Sequence, residues 1–323
     1  MVPALALSLL FFCFVLIKSA DQLVISLRRL SKLTHTKVFA LSAILLALGT
    51  SFPELFVAIS SSLEGTSSLS FGNVLGANIA NISLVAGFSA LVAGRVNVKG
   101  GLIKKEVFMA LVAALVPVAL ALDGKLSRVD GIILVVLYGA YAASLFRERF
   151  EEVAKEHKKE SFIYRFLRRF NHIESARTKE FGRLFLGIAF LLFSSDVIVK
   201  IAKQIAVDAN LPVFIIGLIL VSIGTTLPEI AFSLKSVGDH EPTMFFGNIL
   251  GSIIANSTLV VGVAATINPV ELMAFKIYEE SAITFLVVFA LFWFFVKSKS
   301  RLDRWEALFL VLAYCVFMVV VFL

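Results

Sequence analysis

Soft metal ligands are scarce in this sequence, which has two cysteines and four histidines among 323 residues. Cys13 and Cys315 both fall inside long apolar runs, where a thiol packs as a small hydrophobe and reports nothing about redox compartment. His35, His157, His172 and His240 sit at unrelated positions in polar connecting segments, so they suggest no metal site. Charge is thin as well, at 16% of residues against 59% hydrophobic, with a mean hydropathy of +0.93. A soluble domain of this length has too little interior to hide so much apolar surface, so lipid must be the solvent for much of the chain. Strand-like alternation is nearly missing, which disfavours a membrane barrel and leaves a helical bundle. The first apolar run lacks a basic leader and a small-residue cleavage site, and is read as a retained span.

What is present is a series of apolar segments, each near the ~20 residues that a spanning helix needs. Ten are expected, starting near Pro3, Thr36, Ser70, Leu102, Val129, Arg183, Leu211, Thr243, Leu272 and Arg304. The net charge of +7 is best explained by its placement. Arg28, Arg29, Lys32 and Lys37 follow the first span, Arg95, Lys99, Lys104 and Lys105 the third, and Lys297, Lys299, Arg301 and Arg304 the ninth. The loop after the second span, 64–68, has no Lys or Arg. The positive-inside bias therefore puts the odd-numbered loops in the cytoplasm and both termini on the far side of a plasma or inner membrane. Topology thus accounts for the basic residues, and nucleic-acid binding is not expected.

The sequence repeats itself. A shift of 175 residues lays Gly49–Gly87 over Gly224–Gly262 without a gap, with 16 of 39 positions identical. Ser19-Ala20-Asp21 falls on Ser194-Ser195-Asp196 at the same offset, and Arg128, Asp130 and Tyr138 match Arg304, Glu306 and Tyr314 one residue further on. Two related halves follow, 1–146 and 183–323, joined by a basic linker at 147–182. Each half holds five spans, an odd number, so the second enters the membrane from the opposite side. The expected fold is an all-α membrane protein of ten transmembrane helices in two inverted five-helix repeats. Such inverted halves usually bind their substrate near the midplane.

The repeat also marks the chemistry. An ionised carboxylate at the bilayer centre costs roughly 2.5–3.5 kcal/mol on insertion scales, yet Glu54 and Glu229 lie mid-span at matching positions. Each closes a Gly-Thr-x-x-Pro-Glu run: Gly49-Thr50-Ser51-Phe52-Pro53-Glu54 and Gly224-Thr225-Thr226-Leu227-Pro228-Glu229. Proline offers no N–H to the carbonyl four residues back, which breaks the helix and frees backbone oxygen beside the acid. Thr50 and Ser51 stand four and three residues before Glu54 and so share its helix face, as Thr225 and Thr226 do with Glu229. The following helices add polar stripes, Asn73, Ala77 and Asn81 in one half and Asn248, Ser252 and Asn256 in the other. Carboxylates, hydroxyls, amides and freed carbonyls make a hard, all-oxygen site that suits Ca²⁺, which takes six to eight oxygens, and disfavours softer metals. Two negative charges are neutralised by one Ca²⁺ or by two Na⁺, which gives a physical basis for exchange.

These two runs, with Gly72 to Asn81 and Gly247 to Asn256, resemble the paired α-repeats of the sodium/calcium exchangers, within the calcium/cation antiporter superfamily. The likeness extends over the ten-span layout and is of the prokaryotic type, with no large regulatory loop. It implies Na⁺ for Ca²⁺ antiport by alternating access, with no cofactor and with the first and sixth helices sliding across the site. It further implies Glu54 and Glu229 as main ligands, flanked by Thr50, Ser51, Thr225 and Thr226. Backbone around Ala47 and Ser222 would join them, Asn81 and Ser252 match further positions of the ion cluster, and the polar stripe itself adds Asn256. Ala77 stands where some members have Ser, Ile253 is the counterpart of Asn78, and Asn256 stands where some relatives carry Asp.

Three other classes fit these residues less well. Proton/calcium antiporters of the superfamily typically add an acid just after the Gly-Asn of the third and eighth helices; here Val74-Leu75 and Ile249-Leu250 follow. A passive channel does not require the inverted, broken-helix site. A membrane enzyme would need a nucleophile paired with a base, and no His or Lys lies near Glu54 or Glu229 in the repeat.

Overall fold

The computed structural model describes residues 2–34, 49–97, 101–156, 174–299 and 301–321. In lipid the backbone can satisfy its polar groups only within itself, and the chain answers with helices. In chain order these are α1 (Val2–Thr34), α2 (Phe52–Leu63), α3 (Ser67–Ala93), α4 (Gly101–Leu120), α5 (Arg128–Glu156), α6 (Glu174–Ala209), α7 (Val213–Gly238), α8 (Pro242–Ile267), α9 (Phe275–Lys299) and α10 (Arg304–Val321). Among the described residues nine are long and apolar enough to cross a membrane. The other, α2, is the later part of the second expected span, whose earlier part lies outside the described residues.

Three boundaries differ from expectation by three residues or more, one being α3, which starts at Ser67 rather than Ser70. α6 starts at Glu174, nine residues before the expected entry at Arg183, so the last nine residues of the expected linker are helical. The ninth helix starts at Phe275 rather than Leu272, because a short strand and a turn precede it.

Burial separates the helices into layers. Of the spanning windows in α3 and α8, 83% and 78% are buried, against 11% in α5 and 22% in α10. The inner layer therefore comprises α2, α3, α7 and α8. On one side α1 and α6 pack along each other and share a separate apolar core (Leu9, Cys13, Leu16, Leu191, Ile198, Ala202) with the start of α7. On the other side α4, α5, α9 and α10 complete the larger core.

Lipid removes most of the hydrophobic drive between helices, so close backbone packing must supply it. A methyl group on Gly72 would strike the Phe214 carbonyl, one on Gly76 the Leu218 carbonyl, and one on Gly217 the Leu69 carbonyl. α3 and α7, one from each half, thus touch backbone to backbone.

Four short strands, which the sequence reading did not anticipate, tie the halves at both ends. β1 (Arg95–Asn97) pairs antiparallel with β4 (Arg301–Asp303), and β2 (Lys125–Leu126) with β3 (Val270–Glu271). The first pair joins the connections after α3 and α9, and the second those after α4 and α8. Alternating helices put these two pairs at opposite faces, as an odd-and-even loop topology requires. The helix starts repeat too: Asp130 accepts from the Ser127 amide at 2.8 Å, and Glu306 accepts from the Asp303 amide at 2.9 Å. This is capping at equivalent positions of the two copies.

Candidate cation site

Both Gly-Thr-x-x-Pro-Glu runs interrupt their helices as the prolines demand. α2 begins at Phe52 with Pro53 in its first turn, directly after Ser51. α7 turns at Thr226 and resumes at Leu227 with Pro228 in the first turn of its second part. Glu54 and Glu229 consequently lie in first helical turns, where the unpaired amides and partial positive charge favour a carboxylate.

Both glutamates are completely buried, and so are Thr225, Asn81, Asn256, Ser252 and Ser222. Ser51 and Thr226 are nearly so, and Thr50 is half-buried. The Ser252 hydroxyl meets both Glu229 and Thr50, one turn before Glu54, which brings the two acids to one place. Neither oxygen of Glu54 has a partner meeting hydrogen-bond geometry among the described residues, although the Thr225 hydroxyl stands nearby. Glu229 accepts from the Ser252 hydroxyl at 3.5 Å through one oxygen, and its other oxygen has no partner. Ser51 Oγ, Asn81 Oδ1 and Asn256 Oδ1 are likewise orphaned. Together these supply six oxygens, two from Glu54 and one each from Glu229, Ser51, Asn81 and Asn256. The remaining orphans are hydroxyls of Ser26, Ser62, Ser70 and Ser89 and the amide nitrogens of Asn73 and Asn81. Burying a charged or polar oxygen with no partner is costly, and two carboxylates together more so. The chemistry of this donor set suits a hard cation. No group of three or more His, Cys, Asp or Glu occurs among the described residues, so hydroxyls and amides fill out the donor set.

The halves hold one another's threonines. Thr50 donates to Asn248 Oδ1 at 3.3 Å and lies 3.1 Å from Ser252 Oγ. Thr225 donates to Asn73 Oδ1 at 3.2 Å. Further along, Asn78 donates to Ser257 Oγ at 2.8 Å and accepts from Asn256 Nδ2 at 3.4 Å. Asn73 and Asn248 stand in the polar stripes of the sequence, but their role as acceptors for the opposite threonines was not foreseen. Asn78 and Ser257 were missed as a bridging pair.

Asn81 opens a π-helical turn, Asn81–Val85 in α3, and Asn256 is the second residue of another, Ala255–Val260 in α8. Such wide turns shift the helix register and often occur at functional positions. A third, Gly217–Val221, runs into Ser222. The Ser222 carbonyl accepts from the Thr226 amide at 3.0 Å and from the hydroxyls of Thr225 and Thr226. It is thus engaged within its own helix in this conformation. Ala47 lies outside the described residues. Ala77 and Ile253 are fully buried. His240 is in the turn after α7, and the other three histidines lie outside the described residues.

A cavity of about 450 Å³ reaches the site's edge at Thr50 and Pro228, with Asp21, Lys235, Ser236 and Asp239 further out.

A bundle of inverted halves meeting at a buried, two-carboxylate oxygen site defines a multi-pass cation carrier of the membrane. The chain belongs to the sodium/calcium exchanger family, whose pattern matches residues 4–147 and again 179–323. It is 28% identical to the sodium/calcium exchanger MaX1 of Methanosarcina acetivorans, over 95% of each chain. It is 31% identical to the inner membrane protein YrbG of Escherichia coli, over 84% of this chain and 83% of that one. Its fold is similar to that of the sodium-calcium exchanger NCX_Mj soaked with Na⁺ and Sr²⁺, at a TM-score of 0.63, 23% identity and 99% coverage of both chains.

Proposed function

We propose that this protein carries Ca²⁺ and Na⁺ alternately through one site, with Glu54 and Glu229 as the charged ligands. Thr50, Ser51, Thr225, Thr226, Asn81, Ser252 and Asn256 supply hydroxyl and amide oxygens, and backbone at Ala47 and Ser222 joins in part of the cycle. The observation that carries the reading is the pair of completely buried carboxylates, one per half, with three of their four oxygens unpartnered among the described residues. Family membership supports Na⁺ and Ca²⁺ as the cargo.

The geometry implies how exchange is coupled. Either one Ca²⁺ or two Na⁺ cancels both charges, whereas the bare pair in a low-dielectric interior is unfavourable. A loaded carrier therefore changes conformation readily and an empty one reluctantly, which couples inward to outward movement. The 1–146 and 183–323 repeats act as the two walls of this site, with 147–182 as a cytoplasmic connector. The basic odd-numbered loops support a plasma or inner membrane location with both termini outside.

The test is Ca²⁺ uptake into proteoliposomes under an outward Na⁺ gradient, compared with a proton gradient of equal size. Uptake driven by Na⁺ and unaffected by a protonophore is expected. Uptake that follows the proton gradient alone would replace Na⁺ as the counter-ion.

A further inference from the structure

The two ends of the inverted repeat are in opposite states. At one end α6 is closed onto α2. Ser60 Oγ lies 2.7 Å from Ser195 Oγ, and the Lys203 ammonium donates to the Glu64 carbonyl at 2.9 Å and to its carboxylate at 3.1 Å. Glu64 is the residue that caps α2, so Lys203 satisfies a helix C-terminus and its acidic side chain together.

The 175-residue offset maps each of these residues onto the other end. Ser60, Ser61 and Glu64 become Lys235, Ser236 and Asp239; Ser195, Asp196 and Lys203 become Ala20, Asp21 and Arg28. At that end, Ala20, Asp21, Lys235, Ser236 and Asp239 line the cavity that reaches Thr50. The same positions that meet at one end therefore face open space at the other. The duplication has kept an acid and a base at matching sequence positions, Glu64 and Lys203 in one set and Asp239 and Arg28 in the other. The acceptor geometry is kept as well: Asp239 caps α7 with φ −80° and ψ 3°, where Glu64 caps α2 with φ −81° and ψ 4°. Arg28 lies on α1, two helical turns beyond the cavity-lining Asp21.

We propose that Glu64 and Lys203 latch one entrance to the cation site, and that the equivalent faces around Ala20 and Lys235 close the other in the opposite conformation. The inference rests on the exchange reading, because only a carrier needs two entrances that close in turn. As α1 and α6 shift together against α2 and α7, the Lys203–Glu64 contact parts while the faces around Ala20 and Lys235 meet. Lys203 and Glu64 are partly exposed, so such a pair shifts a population by about fivefold and cannot freeze it. A carrier benefits from that modest strength, since a latch that held firmly would stop turnover.

The test uses disulfides whose formation is read on a gel, independently of transport. In a Cys13→Ala, Cys315→Ala background, Ser60→Cys with Ser195→Cys should form a bridge under oxidation, as should Ala20→Cys with Lys235→Cys. Each bridge should halt Ca²⁺ flux, and reduction should restore it. In the fourfold cysteine variant a given molecule should carry one bridge or the other. Both bridges in one molecule, or flux that continues through either, would overturn the proposal. For the charges themselves, Glu64→Lys and Lys203→Glu should each slow exchange about fivefold, and the double exchange of charge should recover it; no recovery would refute the latch. If bridging behaves as expected but flux in the reduced protein ignores Na⁺, the fault lies in the exchange reading and not in the latch.

Discussion

The Thr225 hydroxyl donates to Asn73 Oδ1 across the interface between the halves, at 3.2 Å, and Thr50 donates to Asn248 Oδ1 in the mirrored arrangement at 3.3 Å. Each half thus aims the other's threonine at the site. Asn73→Ala or Asn248→Ala removes an acceptor worth about 1 kcal/mol, so apparent Ca²⁺ affinity should fall by about fivefold with maximal flux less affected. The dependence of proteoliposome flux on Ca²⁺ concentration checks this. Unchanged half-saturation in both variants would show that the threonines need no such alignment.

Glu54→Gln and Glu229→Gln retain size and hydrogen-bonding capacity while removing the charge that cargo must neutralise. Each should reduce exchange at least about a hundredfold, since roughly 3 kcal/mol of differential binding is at stake. The folded protein should persist, and the wild-type rise in melting temperature on adding saturating Ca²⁺ should vanish. A variant that still transports, or that still gains stability from Ca²⁺, places the cargo elsewhere.

Gly72 and Gly217 sit where α3 and α7 meet backbone to backbone, and a methyl on either would strike a carbonyl of the opposite helix. Gly72→Ala and Gly217→Ala should each destabilise by about 1–3 kcal/mol, the range for overpacking a tight contact. Gly139→Ala, at an exposed position of α5 with nothing near its added carbon, should be tolerated. Thermal denaturation in detergent separates the two kinds; equal behaviour of all three would contradict the close approach.

Ala77 is fully buried on α3, one helical turn from both Asn73 and Asn81. Ala77→Ser adds a hydroxyl to that stripe at small steric cost. Na⁺ should then half-activate Ca²⁺ efflux at a severalfold lower concentration, the scale of one added hydrogen-bonding oxygen. An unaltered Na⁺ dependence would show that this part of the stripe does not face the cargo.

Much of the architecture was legible in the residues because lipid imposes simple rules. Span length, the placement of Arg and Lys, and the duplicated Gly-Thr-x-x-Pro-Glu run led directly to ten helices in two inverted sets. Glu54 and Glu229 stood out because nothing apolar explains a mid-span acid, and Pro53 and Pro228 foretold where the helices break. What escaped notice depends on contacts between distant segments. The pairing of Arg95–Asn97 with Arg301–Asp303 involves only three residues a side, separated by some two hundred along the chain, too little for a periodic signal. The π-turns Asn81–Val85 and Ala255–Val260 widen the helix locally, which the apolar pattern of the spans does not register. Asn78 and Ser257 were overlooked as partners because their counterparts, Ile253 and Ile82, break the twofold pattern that guided the reading. At short range, the Ser222 carbonyl accepts from Thr225 and Thr226, three and four residues on, a detail that motif spacing alone does not reveal.

The two strand pairs, β1 with β4 and β2 with β3, each draw one strand from each half and sit at opposite ends of the bundle. The peptide connection between the halves is therefore not what holds them in register. Two separately translated fragments would carry all the information needed to find each other and dock in one alignment. An ancestor made of two independent five-helix chains, inserted in opposite senses, is mechanically plausible on the same ground. Fusion then brings equal dosage of both pieces and a fixed order of insertion, leaving the assembled machine unchanged.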